Sequence, residues 1–376
     1  MKSVRLAIVR QKYRPDGGAE RFVSRALEAL GNENLELNVI TRSWQGDISP
    51  DWYVHLANPH KWGRISRERG FAKAARAVWE KEQFDLVQSH ERISGCDIYR
   101  AGDGVHQRWL QQRARVLSSW RGKLLFASRY HRYVMDAEQK MYSAPELKMV
   151  ICNSEMVKRE VMADFGLSEK KISVIYNAID HKQFLPAIES QRMLLRKEYD
   201  LPRQAKCFVY VGSGFERKGL KVAIQAVSAT DAYLIVVGQD KEEKKYKQLA
   251  NSLGCNERIR FMGVQKKTLP FYQIADGLLL PTLYDPFPNV ILEAMACGLP
   301  VITSTTCGGA EFVTSGSNGF ICDALDIRDI TEAIQNTPSD HLNNKMSALA
   351  RTKVLPYTPE HLSQQLIGLY ERVLSS

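Results

Sequence analysis

A chain of 376 residues, 44% hydrophobic and 25% charged, is too long for one ordinary core and predicts two globular domains of comparable size. Its mean hydropathy of −0.31 and the lack of any apolar run near the roughly eighteen residues needed for a span argue against a membrane helix, and seven scattered cysteines with no C-x-x-C pair argue against a disulfide framework or a zinc site. The net charge of +10 calls for an anionic partner, which could be nucleic acid, an acidic membrane surface or a phosphorylated substrate.

Along the chain, residues 4–9 read as a first strand and not as a signal-peptide core, so a cytoplasmic location is expected. A loop ending in Asp16, Gly17 and Gly18 follows, then a helical stretch over 19–30 and a strand over 35–41. Strand-like runs recur at 85–88 and 149–152, the latter followed by a helix over 154–165. A polar connection at 176–180 marks the domain boundary, ahead of a charged helix at 192–198. The second half repeats the pattern, with strands expected at 207–211, 233–237, 259–262, 277–280 and 299–303. Alternation of this kind predicts an α/β protein with two doubly wound, Rossmann-like domains. In the final stretch, 359–374, Leu362, Leu366, Leu369, Tyr370 and Val373 recur at helical spacing, which gives a closing helix with one apolar face that packs back on the first domain. The expected domains are therefore 1–177 with 360–376, and 178–359.

Two segments carry candidate chemistry in the second half. In Asp285-Pro-Phe-Pro-Asn-Val-Ile-Leu-Glu293, Pro286 and Pro288 hold the first part out of a helix, so a helix starts near Asn289 or Val290. Its first amides and partial positive charge suit a phosphate, and Glu293 lies about one turn in. Spacing alone fits a capped surface helix equally well. In Val211-Gly-Ser-Gly-Phe-Glu-Arg-Lys-Gly-Leu220, glycines after a strand allow close approach to a phosphate, while Arg217 and Lys218 supply a guanidinium fork and a point charge. A P-loop and a dinucleotide fingerprint both fail on spacing, because Gly219 is followed by Leu220 and Arg217 stands where a third glycine belongs.

In the first half, residues 100–132 hold eight Arg or Lys against the single acid Asp103. Trp109, Arg113, Arg115, Trp120, Arg121 and Lys123 interleave charge with aromatic groups, as suits an anionic bilayer interface; a solvated helical face is the alternative. Nucleic acid is not an expected partner, since no helix-turn-helix, RNP or zinc-finger pattern accompanies the charge. Asp103, His106 and His90 are candidate acceptor-side polar groups in loops after strands, with Asp103 preferred because basic neighbours favour its ionised form.

Taken together, the G-G loop at 17–18, G-S-G-F-E-R-K-G at 212–219, D-P-F-P-N-V-I-L-E-A-M-A-C-G-L-P-V at 285–301 and C-G-G-A-E-F-V from Cys307 resemble retaining glycosyltransferase family 4. The resemblance implies the GT-B architecture, two Rossmann-like domains facing a central cleft, with the nucleotide sugar held by the second domain and the acceptor by the first. The first half is most similar to bacterial lipopolysaccharide-core sugar transferases of the RfaG and WabG type, through Tyr13, the segments 43–47, 95–99 and 101–103, and 129–133. That implies a UDP-sugar donor carrying glucose or galacturonic acid, a core heptose as acceptor, and a peripheral position on the inner face of the cytoplasmic membrane. It also implies no cofactor and no metal, in line with the missing D-x-D motif. A UDP-sugar epimerase on the same frame, a family 4 transferase with another lipid-linked or capsular acceptor, and a non-catalytic binding module are the competing readings. The implied donor site comprises Gly17, Gly18, Ser213, Arg217, Lys218, Asp285, Phe287, Asn289, Val290 and Glu293, with Glu293 on the ribose, Arg217 and Lys218 on the diphosphate, and Asp285 at the sugar. Asp103, Asp285 and His106 are the candidate catalytic positions. Two departures stand out: Asp285 replaces the usual Glu, and Ser213 stands where many relatives carry Arg.

Overall fold

A computed structural model describes residues 4–13, 35–45, 52–339 and 344–375, and the chain divides into two compact units, one of residues up to 178 together with 359 onward, the other of 179–358. Besides a short parallel pair, Lys12–Tyr13 with Ser43–Trp44, the strands of unit 1 are β1 (Val4–Val9), β2 (Leu35–Thr41), β3 (Trp52–Leu56), β4 (Leu86–Ser89), β5 (Ile98–Ala101), β6 (Met149–Cys152) and β7 (Ile172–Val174). They form one parallel sheet in the order β3-β2-β1-β4-β5-β6-β7. The order reverses between β1 and β4, which opens a crevice at their carboxyl ends. The unit also has α1 (Gly63–Glu82), α2 (His106–Ala114), α3 (Ser119–Ala127), α4 (Arg129–Tyr142) and α5 (Glu155–Phe165).

Two of these strands have no apolar signature. β3 is an edge strand of mixed exposure, and β5 carries the buried Arg100, whose guanidinium donates to Asn177 Oδ1 at 2.8 Å. Burial lowers the Arg100 pKa to about 9.

In unit 2, β8 (Cys207–Val211), β9 (Tyr233–Val237), β10 (Ile259–Gly263), β11 (Gly277–Leu280), β12 (Val301–Ser304) and β13 (Gly319–Cys322) form a parallel sheet in the order β10-β9-β8-β11-β12-β13. Here the switch point lies between β8 and β11. The helices are α6 (Glu189–Glu198), α7 (Leu220–Ser228), α8 (Glu243–Ser252), α9 (Leu269–Ile274), α10 (Asn289–Ala296), α11 (Ile327–Asn336) and α12 (Lys345–Val354). Strands covered on both faces read as continuous apolar runs, and β8, CFVYV, is buried at every position.

The closing helix α13 (Pro359–Leu374) belongs to unit 1, as expected from its stripe. Leu362, Leu366, Leu369, Tyr370 and Val373 share one core with Leu6, Ile8, Leu37, Val39, Leu86 and Ile98. Tyr370 also donates from its hydroxyl to Gln88 Oε1 at 2.8 Å, which ties the helix to β4. All seven cysteines are free and buried.

One buried ionic cluster anchors α6 to the unit 2 sheet. Asp276, fully buried before β11, accepts from Arg192 at 2.7 Å and from the Cys207 amide at 2.8 Å, with Arg196 at 3.7 Å. Breaking a buried pair leaves an uncompensated charge, so Asp276→Ala should destabilise the protein by about 3–5 kcal/mol in urea unfolding followed by circular dichroism.

Candidate functional site

The unit 2 site begins with two loops joined at the switch point. Leu283 donates from its amide to Arg217 O at 2.8 Å, and the Thr282 hydroxyl donates to the same oxygen at 2.9 Å, so the loop after β8 is bonded to the loop after β11. Only glycine fits at 219. Its φ is +75°, and a Cβ there would lie 1.8 Å from Pro281 O. This close approach brings Lys218 to Asp285, with Nζ 3.2 Å from Oδ2, while Arg217 reaches the same oxygen at 3.7 Å. Lys218 and Asp285 are buried, whereas the Arg217 side chain is 41% exposed. Lys218 is therefore part of the site interior and not of a solvated loop.

Beyond Asp285 the chain enters α10 at Asn289, as the two prolines predict. Pro288 at the N-cap has no side-chain oxygen to bond the first-turn amides. Asn289 and Val290 are half-buried, and Phe287 packs edge-on against Phe312 at 5.3 Å. Glu293 is 3% exposed and accepts from the Tyr272 hydroxyl of α9 at 2.8 Å. Tyr272, itself fully buried, is a residue that sequence reasoning missed, because it stands 21 positions away on another helix. Ser213 lies exposed in the loop after β8, and Gly17 and Gly18 fall outside the described residues.

In unit 1 the acceptor-side candidates are arranged differently from expectation. Asp103 does lie in a turn after β5, with its side chain 55% exposed and Arg92 at 3.6 Å. His106 is not in a loop: it is the first residue of α2, its amide donating to both oxygens of Glu138 at 3.1 Å. Its ring nitrogen Nε2 meets His131 Nδ1 at 2.9 Å, a partner 25 positions along the chain that the sequence did not suggest. Burial first, then the charges of Arg92 and His131, lower the His106 pKa to about 3. At neutral pH this imidazole can bond but carries no charge. His90 is buried against Gln88 Nε2 at 2.9 Å, and burial with Arg100 and Arg10 lowers its pKa far below the ordinary value. It lies in the bend directly after the central strand β4, as expected of a loop after a strand.

The basic segment splits into inward and outward residues. Arg100 is buried, and Arg108 makes a two-pronged pair with Asp164 at 2.9 and 2.5 Å. Trp109 and Arg113 are half-buried, while Arg115, Trp120, Arg121 and Lys123 are exposed. Trp120 and Leu124, one turn apart on α3, are 60% and 59% exposed, and the Arg121 guanidinium lies 5.1 Å from the Trp120 ring centroid.

Residues 16–183 match the model described as Glycosyltransferase Family 4, and residues 191–353 that of the Glycosyl transferases group 1. The chain belongs to glycosyltransferase family 4. The lipopolysaccharide glucosyltransferase WaaG of Escherichia coli K12 is 24% identical over 82% of this chain and 83% of its own. A crystal structure of WaaG aligns at a TM-score of 0.82 with 21% identity, covering 97% of this chain and 99% of that one, so the fold is GT-B. The lipopolysaccharide core biosynthesis glycosyltransferase LpsE of Rhizobium meliloti is 25% identical over 87% of each chain. The Anabaena protein HepE, in a crystal structure with UDP-glucose, aligns at a TM-score of 0.71 with 18% identity over 98% of this chain and 99% of that one.

A further carboxyl in unit 1 was not singled out by sequence. Burial raises the Glu91 pKa from 4.5 to about 7, with Arg10 and the Gln11 amide opposing the shift and Asp103 and Glu68 adding to it. A raised carboxyl favours the folded state below its ordinary pKa, and that contribution is lost as pH rises through 7. Glu91→Gln removes the titration, so its stability relative to the parent should rise between pH 5 and pH 8, by on the order of 3 kcal/mol, in paired thermal or urea unfolding curves.

Proposed function

We propose that this glycosyltransferase moves a hexose or hexuronic acid, glucose or galacturonic acid, from a UDP-sugar to a heptose of the lipopolysaccharide inner core, with retention at the anomeric carbon. The observation that carries the reading is the buried Asp285 carboxylate held by Lys218 and Arg217 at the entry to α10. A diphosphate arriving at the two cations competes with Asp285 for them. Its negative charge replaces that of the carboxylate, which is then available to sugar hydroxyls.

As the sugar–phosphate bond breaks, charge builds on the leaving diphosphate, and Lys218, Arg217 and the first amides of α10 are the preorganised donors for it. Two side-chain cations at the diphosphate supply the charge that a metal would otherwise bring, so transfer without metal is proposed. Glu293, fixed by Tyr272, would accept from the ribose hydroxyls. The lipopolysaccharide acceptor is supported by the functions of WaaG and LpsE, and the UDP-sugar by the ligand of HepE.

Among the described residues no helix is long and apolar enough to cross a membrane. A peripheral attachment through α2 and α3 is proposed, with Trp120 and Leu124 entering the interface and Arg113, Arg115, Arg121 and Lys123 meeting anionic headgroups. Removing those four charges together should release the protein from anionic vesicles; unchanged sedimentation with vesicles would refute the attachment.

The function itself is tested with a panel of UDP-sugars on truncated core acceptor, the product linkage being read by NMR. Turnover without acceptor to an isomerised UDP-sugar would instead indicate an epimerase. Glu293→Ala should weaken UDP binding by about 1–3 kcal/mol in calorimetry, and Tyr272→Phe by about 0.5–1.5 kcal/mol, since it removes only the supporting hydroxyl.

A further inference from the structure

At the switch point of unit 1, beyond the carboxyl ends of β1 and β4, a cavity of about 50 Å³ lies between α1 and α4. Gln11, Glu68, Glu91, Tyr130 and Tyr133 supply most of its polar lining. Sheets of this topology bind ligands at such a point. The Gln11 amide donates to Glu91 Oε1 at 2.9 Å, and its carboxamide donates to Glu68. Each carboxylate has a guanidinium beside it, Arg10 at 3.5 Å from Glu91 and Arg67 at 2.9 Å from Glu68. The guanidiniums of Arg64 and Arg69 lie 5.7 and 5.6 Å from the ring centroids of Tyr130 and Tyr133.

Arg92, paired with Glu138 at 2.8 Å, also lines the pocket, so each charged group in the lining has a partner of opposite sign. Carboxylate lone pairs, a carboxamide and the Tyr130 phenol line it, together with the Tyr133 phenol, which Arg69 also bonds, and such groups suit vicinal hydroxyls, which both donate and accept. Glu91, half protonated near neutral pH, can serve hydroxyls in either sense. Size narrows the ligand further. A six-membered ring occupies a cavity of roughly 150 Å³, whereas 50 Å³ holds a water or two, or a short hydroxylated arm.

We infer that this pocket takes the exocyclic hydroxylated arm of the acceptor sugar, the ring staying outside, and thereby distinguishes a heptose from a hexose. The inference rests on the acceptor class proposed above. Its energetic basis is that a site built to bond a hydroxyl leaves polar groups unpaired when the analogue lacks it.

The experiment compares methyl manno-heptopyranoside with methyl mannopyranoside, which is shorter by one CHOH group, as acceptors for the full chain. The heptoside should be preferred in kcat/KM by roughly tenfold or more, and Glu68→Gln and Tyr133→Phe should each pull that ratio toward one. Saturation-transfer NMR of the same two glycosides gives a reading that needs no turnover: saturation should concentrate on the C6 and C7 protons of the heptoside and fall in both variants. Transfer to both sugars with equal kcat/KM, or a preference that neither variant moves, overturns the inference and leaves the transferase reading intact. Arm-centred saturation without transfer from any UDP-sugar overturns the proposed UDP-sugar-to-heptose reaction and leaves the pocket assignment standing. Ring-centred saturation that neither variant alters overturns the pocket assignment.

Discussion

The charged site of unit 2 depends on one steric constraint, the contact of the backbone at Gly219 with Pro281 O. That contact lets two loops from strands 65 or so positions apart share hydrogen bonds through Arg217 O. Any side chain at 219 would have to displace the main chain of the other loop. With it would go the approach of Lys218 to Asp285, the shortest ionic contact of the site. A similar closeness recurs where a Cβ at Gly309 would lie 2.4 Å from the Ile291 side chain, so the start of α10 is pressed against the segment after β12. The arrangement of charge thus follows from places where side chains are missing.

The polar crevices of the two units differ in charge. In unit 2, two cations converge on one carboxylate, an excess of positive charge suited to a dianion. In unit 1, Arg10 with Glu91, Arg67 with Glu68 and Arg92 with Glu138 form pairs, and the histidines beside them are kept neutral by burial. A balanced, hydrogen-bonding crevice selects by shape and hydroxyl pattern, and an unbalanced one by charge. A transferase that joins an anionic donor to a polyhydroxyl acceptor needs both kinds.

Much of the fold was legible in the sequence because it is local. The apolar runs of β1, β8 and β11, the prolines before α10 and the stripe of α13 each declare themselves within about a dozen residues. β3 and β5 did not, since an edge strand and a strand around a buried arginine lack an apolar run. In the site, Asp285, Glu293, Arg217 and Lys218 were found through short motifs, and the structure brings Asp285 and the two cations together. Tyr272, His131 and the Glu68–Glu91 pocket were not found, because each is made by residues from separate elements that only the folded chain brings together. The eight basic residues at 100–132 illustrate the opposite error: composition counted Arg100 and Arg108 with the surface charge, although one is buried and the other is tied to Asp164.

The shorter carboxylate at 285 gains its meaning from this geometry. An aspartate that sits 3.2 Å from Lys218 keeps a buried ammonium compensated without a ligand, at a cost in desolvation that the pair only partly offsets. When a diphosphate takes over the cations, the carboxylate must find new donors or become the uncompensated charge. Sugar hydroxyls are the donors at hand, and one methylene less sets how far into the site the sugar must come to meet them. On the proposed donor site, discrimination among sugars at this position would therefore be coupled to diphosphate binding: the cations would be released to the phosphate only as far as the sugar hydroxyls satisfy Asp285. On that proposal, a donor whose hydroxyls fall short of Asp285 would forfeit phosphate affinity as well as sugar contacts.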